Sequence, residues 1–150
     1  MQTRLLMDLR QFDEGVAFSE GLAAVRIGDD KTGKWGFIDK QGKMVIKPQF
    51  DDSLSFSEGL ASVQTGHGKT GKWGLIDKQG KMLDPRFDSE GVFISGLAAV
   101  RIGDDKTGKW GFIDKQGKIV IKPQFAKCAA FSEGLAAVRI RDGNWGYIGR

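Results

Sequence analysis

Apolar and polar residues alternate over short stretches of this chain, and the same alternation returns along its length. In residues 34–43, with the sequence KWGFIDKQGK, Trp, Phe and Asp fall on one side of an extended segment, and Gly and Ile fall on the other. The stretch returns almost unchanged at residues 72–81 and 109–118, and a shortened form, NWGYI, stands at residues 144–148. Such alternation is typical of a β-strand with two different faces, so we predict a strand, called strand b, at each of these places.

A tight turn and a return strand follow strand b. Asp39–Gly42 fits a type I turn, with Asp at its first position and a glycine of positive φ at its last. The turn closes a hairpin with Lys43–Lys47, which we call strand c. We expect Pro48 to end strand c, because proline cannot donate a hydrogen bond to a neighbouring strand. Gly80 and Gly117 stand at the same turn position, which predicts the same positive φ.

A third strand precedes strand b in every unit. Leu22–Ile27 places apolar residues on one face and Arg26 on the other, and it follows the turn sequence Phe-Ser-Glu-Gly. We call this segment strand a. A polar, glycine-rich turn at residues 28–34 joins it to strand b, and residues 51–55 are expected to form an irregular link to the next unit. Each unit therefore predicts about three short antiparallel strands, without a strong helix signal.

The Trp-Gly pair marks each unit. The four tryptophans are separated by 38, 37 and 35 residues. A side chain in place of the glycine would stand on the opposite face of the sheet from the Trp, so its absence predicts that a neighbouring ring or backbone comes close there. We interpret the pair as a packing feature and not as a ligand contact. The structural repeat markers are Trp35, Gly36, Trp73, Gly74, Trp110, Gly111, Trp145 and Gly146.

The spacing predicts one all-β domain over residues 1–150, built as a tandem array of four units of about 37 residues. The units cover approximately residues 11–47, 48–84, 85–122 and 123–150. Because no strand c follows residues 144–148, we expect residues 4–9 to supply that strand to the last unit. The array is then either an open β-repeat stack or a ring of four units closed by the N-terminal strand. Between molecules, the same terminal strands offer a route to self-association.

Length and charge limit the classes of function. The 150 residues carry 23 basic and 19 acidic side chains, a net charge of +4, and suit one domain with an apolar core. This mild excess, with both signs interleaved, does not indicate nucleic acid as a partner. No stretch reaches about 18 apolar residues, so we expect no membrane insertion. The N-terminus lacks the pattern of a signal peptide, which predicts either an intracellular protein or a fragment that has lost its export signal.

The sequence contains few residues that could support histidine or cysteine chemistry. His67 is the only histidine and stands in a variable turn, so His-based metal clusters and Ser-His-Asp arrangements are not expected. Cys128 is the only cysteine, which excludes an internal disulfide, and we interpret it as a small apolar filler. Residues 66–71 match the pattern G-x-G-x-x-G, but a predicted strand follows where phosphate binding requires a helix. No cofactor or metal is expected.

The carboxylates recur with the repeat instead of forming one special group. Asp39 and its counterparts Asp77 and Asp114 begin turns, where the side chain is expected to bind the turn backbone. Paired catalytic carboxylates need different environments, and repetition argues against that. The Asp pairs at residues 29–30 and 104–105 lack the alternating spacing of a calcium loop. We therefore predict that the protein is not an enzyme.

Basic side chains also recur with the units. Lys40, Lys43 and Lys47 have counterparts in later units, and stacked units would place them in rows that favour a polyanion. Glu20 and Asp39 travel with these lysines, so a mixed, soluble surface is the preferred interpretation. The candidate surface contacts for a partner are Lys34, Lys72, Lys109, Arg26, Arg101 and Arg139.

The repeated motifs resemble those of the WG-repeat, or KWG-repeat, proteins. The resemblance rests on Trp-Gly followed by Ile-Asp, Gly-Lys and Pro-x-Phe, with Phe-Ser-Glu-Gly-Leu-Ala upstream, and it covers about residues 11–150. It implies tandem β-repeats, found mainly in bacterial proteins and often beside other domains. It implies neither a common enzymatic activity nor a shared set of functional residues.

The sequence as a whole favours a structural or binding module. A single unit cannot bury its Trp–Phe face alone, so the units must stack to form a core. We predict a non-catalytic scaffold whose partner is another protein. The alternative is carbohydrate or cell-wall binding through the repeated aromatic hairpins, which would require tryptophan rings at the surface.

Overall fold

The computed structural model describes residues 12–66, 71–140 and 143–149, and within these residues every regular element is a strand. In chain order the strands are β1 (Glu14–Gly15), β2 (Ala23–Ile27), β3 (Lys34–Ile38), β4 (Met44–Phe50), β5 (Asp52–Ser53), β6 (Ala61–Thr65), β7 (Lys72–Ile76), β8 (Met82–Phe87), β9 (Ala98–Ile102), β10 (Lys109–Ile113), β11 (Ile119–Phe125), β12 (Lys127–Cys128), β13 (Leu135–Arg139) and β14 (Trp145–Gly149).

The described strands form four antiparallel sheets, one for each repeat. Their orders are β1-β2-β3-β4, β5-β6-β7-β8, β9-β10-β11 and β12-β13-β14. Strand a of each unit is β2, β6, β9 or β13, strand b is β3, β7, β10 or β14, and strand c is β4, β8 or β11. The prediction of an all-β tandem array of four units is confirmed. We number the units one to four with their sheets.

The hairpin between strands b and c forms as predicted. The N–H of Gly42 donates to the carbonyl of Asp39 at 2.9 Å, and the φ angles of Gly42, Gly80 and Gly117 are 83°, 85° and 81°. The Asp39 carboxylate accepts the N–H of Gln41 at 3.0 Å and that of Lys43 at 2.9 Å. The repeated aspartates therefore hold the turn backbone, as an Asp at the first turn position does.

Strand c does not end at Pro48, and that prediction is wrong. β4 continues through Pro48 to Phe50, with Trp35 opposite Phe50 and Phe37 opposite Ile46. The register shifts between these two pairs, so the strand carries an irregularity of the bulge type. Residues 47–49 stand opposite Gly36 alone, so this part of β4 lies outside the regular ladder, and a proline there does not interrupt a required hydrogen bond.

A short strand absent from the prediction precedes strand a in three of the four described sheets. Residues 51–55, expected to be irregular, contain β5, in which Asp52 pairs with Gln64 and Ser53 with Val63. β1 and β12 occupy the same position beside β2 and β13. Two polar residues carry no periodic signal, which is why the sequence did not reveal these strands. The strand expected at residues 4–9, and ring closure through it, lie outside the described residues.

The apolar core lies between neighbouring sheets. At the junction of units one and two, Trp35 and Phe37 share a buried cluster with Phe56, Val63 and Ile76. The rings of Phe37 and Phe56 meet edge-on, with their centroids 4.9 Å apart. The ring pair of Phe112 and Phe131 repeats this geometry between units three and four, also at 4.9 Å. Stacking of the units therefore makes most of the core, and a further buried cluster, Ala23, Val25 and Ile38 with Phe12 and Met44, lies within unit one.

A set of polar contacts, here called the clasp, joins units one and two beside the Phe pair. The carboxylate of Glu20 accepts the N–H groups of Glu58 at 2.6 Å and of Gly59 at 2.8 Å. The hydroxyl of Ser19 donates to the carbonyl of Phe56 at 2.7 Å, and the ammonium of Lys78 lies 3.6 Å from Glu20. Desolvation raises the pKa of Glu20, but these N–H groups and Lys78 lower it by more, so the net shift is downward.

The clasp recurs at the second junction and loses two of its members at the third. Glu58 accepts the N–H of Gly96 at 2.9 Å and lies 3.3 Å from the ammonium of Lys115. The hydroxyl of Ser57 donates to a carbonyl of unit three at 2.9 Å. In unit three, Ile94 and Ser95 replace the Ser and Glu of the clasp. The junction between units three and four therefore has no clasp carboxylate.

Candidate functional site

The four tryptophans differ in how far their rings are buried. Trp35 and Trp73 are 8% and 9% exposed, and Trp110 is half-buried. Trp145, in the last sheet, is 58% exposed. Trp35 is therefore part of the core of the first junction, Trp73 is buried as well, and Trp145 is open to a ligand.

The glycine after each Trp allows a close backbone approach. A β-carbon at Gly36 would lie 2.7 Å from the nitrogen of Pro48, and one at Gly111 would lie 2.7 Å from that of Pro123. At Gly74 the neighbour is the Sδ atom of Met82. The predicted close approach of a neighbour is therefore found at Gly36, Gly74 and Gly111. At Gly146, by contrast, a β-carbon would meet no atom within 4 Å.

Two of the three candidate arginines lie against tryptophans. The guanidinium carbons of Arg26 and Arg101 lie 5.9 Å from the ring centroids of Trp35 and Trp110, a cation–π distance. Their Nε atoms donate to the carbonyls of Gly28 and Gly103 at 2.9 and 2.8 Å. Among the described residues, Nε of the half-buried Arg139 is buried without a hydrogen-bond partner. The first two arginines thus belong to structural contacts.

The candidate lysines are also partly used inside the array. Lys34 forms an ion pair with Asp51 and Lys72 with Asp88, each in the following unit. The hydrogen bond from Lys72 and the N–H of Gly103 hold the pKa of Asp88 below its usual value. Lys109 is half-buried, and Ala126 stands at the position of those two aspartates. These lysines therefore connect units more than they offer free charge.

Reactive or metal-binding groups do not assemble in the part of the chain that the structure describes. Desolvation raises the pKa of the Cys128 thiol to about 11, which disfavours the reactive thiolate. Asp29 accepts the N–H and hydroxyl of Thr32 and the N–H of Lys31, and these bonds lower its pKa. No group of three or more potential metal ligands occurs among the described residues. His67 lies outside them.

Exposed side chains of strand c form the most regular free surface. In β4, Val45 is 43% exposed and stands between the exposed Lys43 and Lys47. In β11, Val120 is 47% exposed between two exposed lysines. Both strands are the outer strands of their sheets within the described residues. We call these two sets the lysine edges: Lys43, immediately before β4, with Val45 and Lys47 in β4, and Lys118, immediately before β11, with Val120 and Lys122 in β11.

The lysine edges were visible in the sequence only as repeated lysines. Their signal is the alternation Lys-x-Val-x-Lys, which places the three side chains on one side of strand c. Which repeated lysines become internal ion pairs and which remain exposed depends on the acids of the next unit. That information is tertiary, so the repeat pattern alone favoured Lys34 and Lys72 instead.

The fold and its unit-to-unit contacts define a tandem β-repeat protein, and comparison with known families agrees. The chain belongs to the family described as WG containing repeat, which matches residues 10–31, 35–69, 73–106 and 110–145. The family assignment predicted from the motifs is confirmed.

Of two further comparisons, one finds a protein of similar fold. A search among curated proteins finds no match. The crystal structure of the computationally designed Ika4 protein is similar at 12% identity and a TM-score of 0.59, covering 99% of each chain. Within the described residues, no helix has the length and apolar character that a membrane crossing requires.

Proposed function

We propose that this chain is a non-catalytic scaffold that binds an extended segment of another protein along its lysine edges. The observation that carries the proposal is the repeated exposure of one valine between two lysines on outer strands β4 and β11. Within the described residues, the side chains of these four lysines take part in none of the ion pairs that hold the array together. Their charge is therefore free for a partner.

The edge geometry favours a particular partner chemistry. An extended peptide can add to the outer strand of a sheet through main-chain hydrogen bonds, and its alternate side chains then set specificity. Side chains two residues apart stand roughly 7 Å from each other along one face. Opposite charges and apolar residues directly across two strands each contribute about 0.2–1 kcal/mol. The matching segment carries an apolar residue between two acidic ones.

A peptide titration tests this proposal. A labelled peptide with the pattern Glu-x-Val-x-Glu is titrated with the chain, and anisotropy gives affinity and stoichiometry. Lys43→Glu with Lys47→Glu should halve the number of bound peptides, and the further pair Lys118→Glu with Lys122→Glu should abolish binding. The matched control is Lys31→Glu with Lys106→Glu, which changes the same charge in exposed turns before strand b. Equal loss in the control, or a peptide that never binds, would refute the edge as the site.

An oligonucleotide separates a specific edge from a general positive patch. With acidic groups interleaved, nucleic acid is expected to bind only weakly and to be released by salt. If it binds as tightly as the peptide at physiological salt, the lysines act as a polyanion site and the protein-binding proposal fails.

Carbohydrate is the second candidate ligand, and Trp145 is the observation that favours it. Its ring is 58% exposed and stands free to stack on a sugar face. The proposal is tested with a glycan array and the variant Trp145→Ala. Binding to a glycan that this variant abolishes, with intact peptide-site lysines, would support the carbohydrate function in place of the protein scaffold.

A further inference from the structure

We propose that this chain binds a carboxylate anion at the junction of units three and four. The site, here called the open junction, consists of Lys109, Ala126 and Arg139. At each of the first two junctions, an aspartate of the chain pairs with a lysine of the preceding unit. The third junction keeps the basic side chains and has Ala126 in place of the acid. The open junction contains no residue of the lysine edges, so it stands apart from the proposed function.

The aspartates of the first two junctions show which group the third one lacks. Asp88 pairs with Lys72 of the preceding unit and accepts the N–H of Gly103 at 2.8 Å. Asp51 makes the two equivalent contacts at the first junction. The hydrogen bond from Lys72 lowers the pKa of Asp88 most, and the charge of Arg101 lowers it further. A negative charge at this position is therefore stabilised by a lysine of one unit and an arginine of the next.

The backbone places Ala126 where the aspartates stand at the other junctions. The N–H of Ala126 donates to the carbonyl of Arg139 at 2.8 Å, and the N–H of Asp88 donates to that of Arg101 at 2.9 Å. At both junctions this residue follows a phenylalanine that pairs with the tryptophan of strand b, and the lysine stands directly before that tryptophan. The carboxylate is therefore missing from a position that is otherwise built as before.

The two basic side chains of the open junction lack the acceptors of their counterparts. Nε of Arg101 donates to the carbonyl of Gly103 at 2.8 Å, whereas Nε of Arg139 is buried without a hydrogen-bond partner. Lys109 is half-buried and, among the described residues, belongs to none of the ion pairs. A buried donor without an acceptor and a partly buried cation without a counter-charge both lower stability. A bound anion would satisfy both groups.

The chemistry of the open junction favours a carboxylate among anions. The position differs from its two counterparts by one carboxylate group, so that group fits the space that Ala126 leaves. A guanidinium presents paired N–H donors that match the two oxygens of a carboxylate, and an ammonium adds a compact charge. Ala126 is half-buried, which leaves the position accessible from solvent. A small free acid and an acidic side chain of a partner protein carry the same group.

Nuclear magnetic resonance of the 15N-labelled chain tests the proposal, because each arginine Nε–H gives its own signal. Acetate replaces chloride at constant ionic strength. The Nε–H signal of Arg139 should shift and saturate, whereas that of Arg101, already bonded to a carbonyl, should stay in place. Lys109→Met should weaken acetate binding by about tenfold or more, because the ammonium is lost. A blocked peptide with one aspartate, titrated in the same way, binds more tightly than acetate if the natural source is a partner side chain.

Two substitutions give matched controls within the same chain. Ala126→Asp should abolish acetate binding, because the new carboxylate fills the site, and it should raise the melting temperature. Asp88→Ala removes the carboxylate of the second junction and should create an additional acetate site there. Acetate binding that appears only after Asp88→Ala would overturn the proposal, since the method then detects such a site and the parent chain has none. Binding that survives Ala126→Asp would also overturn it.

Two further variants separate the open junction from other sources of the effect. Asp142, which lies outside the described residues, follows Arg139 by three positions. Asp142→Asn should leave acetate binding unchanged, and markedly tighter binding would overturn the proposal by showing that the chain supplies this carboxylate itself. Lys43→Glu with Lys47→Glu, which tests the lysine edges, should also leave acetate binding unchanged. The proposed function and the open junction can therefore fail independently.

Discussion

At Gly111, a β-carbon would lie 2.7 Å from the nitrogen of Pro123, so the backbone of strand c occupies the space of a side chain. Gly111→Ala should therefore lower the free energy of unfolding by about 1–3 kcal/mol, the usual cost of overpacking. The measurement is a urea titration. Gly146→Ala is the matched control, because no atom lies within 4 Å of its β-carbon position. An equal loss of stability in both variants would show that the close contact with strand c is not the reason for the glycine at position 111.

The Asp88 carboxylate is a second residue whose role predicts a measurable effect. Its pKa lies below the ordinary value of an aspartate because Lys72 and the N–H of Gly103 stabilise the charged form. A lowered pKa adds stability above the unfolded value, and that stability disappears as pH falls through the folded value. Asp88→Asn should reduce the free energy of unfolding by about 1 kcal/mol at neutral pH.

The free energy of unfolding, measured as a function of pH, separates the effect of the Asp88 charge from that of its hydrogen-bond geometry. The difference between parent and Asp88→Asn should stay constant above about pH 5 and should vanish as the pH falls below the ordinary range of aspartate. Asp30→Asn removes a carboxylate from an exposed turn position and is the charge-matched control, which should lower stability less at neutral pH. A difference that persists in acid would assign the effect to the lost hydrogen-bond geometry alone.

At the scale of the elements, the turn between strands b and c predicts how substitutions at Gly80 change the stability of the chain. Gly80 has a φ of 85°, and a β-carbon there would lie 3.3 Å from Cγ2 of Ile46 in the preceding unit. Gly80→Val should cost about 2 kcal/mol or more, because a β-branched residue is strained at positive φ and also presses on its neighbour. Gly80→Asn, which tolerates this backbone region, should cost clearly less in a thermal melt. Equal melting temperatures for the two variants would show that strain at positive φ does not explain the cost of Gly80→Val.

The elements also show what the sequence can and cannot predict. Strands a, b and c follow from alternation, and the turn at Asp39–Gly42 follows from two residue types at fixed positions. β5 could not be predicted, because Asp52 and Ser53 pair through their backbones and carry no apolar pattern. The continuation of β4 through Pro48 was equally hidden, since a bulge depends on how two strands meet.

Some residue roles in the candidate site could also be predicted from the sequence, and others could not. The packing role of the glycines was predictable, because a missing side chain beside an aromatic residue implies a close neighbour. The clasp was not, since Glu20 meets its hydrogen-bond partners 38 and 39 residues away and has no local signature. The ion pair between Lys34 and Asp51 likewise depends on how the units stack.

For the molecule as a whole, the stability of a repeat array is approximately a sum over units and their junctions. The first two junctions combine aromatic packing with a clasp, whereas the third has its ring pair without the clasp carboxylate. The outer strand of unit four is also exposed, with Trp145 and Tyr147 both more than half accessible. We therefore expect unit four to open more readily than units one to three.

Restoring the clasp at the third junction should make unit four open less readily. Ile94→Ser together with Ser95→Glu recreates the sequence of the first junction, and the backbone at Ser95 already has a φ of 55°. The new carboxylate would accept the N–H groups of the turn in unit four, a charged hydrogen bond worth about 1.5–3 kcal/mol when well formed.

Hydrogen exchange detected by mass spectrometry gives the readout unit by unit. In the parent chain, amides of β13 and β14 should exchange fastest among the strands, since local opening needs only the third junction to break. In the double variant, exchange in β13 should slow by about tenfold or more, at about 1.4 kcal/mol for each factor of ten. Ile102→Ser, which removes another exposed isoleucine away from the clasp, should leave that rate unchanged. Slowing that is equal across all four units would mean that the array opens as one body, and the nearest-neighbour description of its stability would fail.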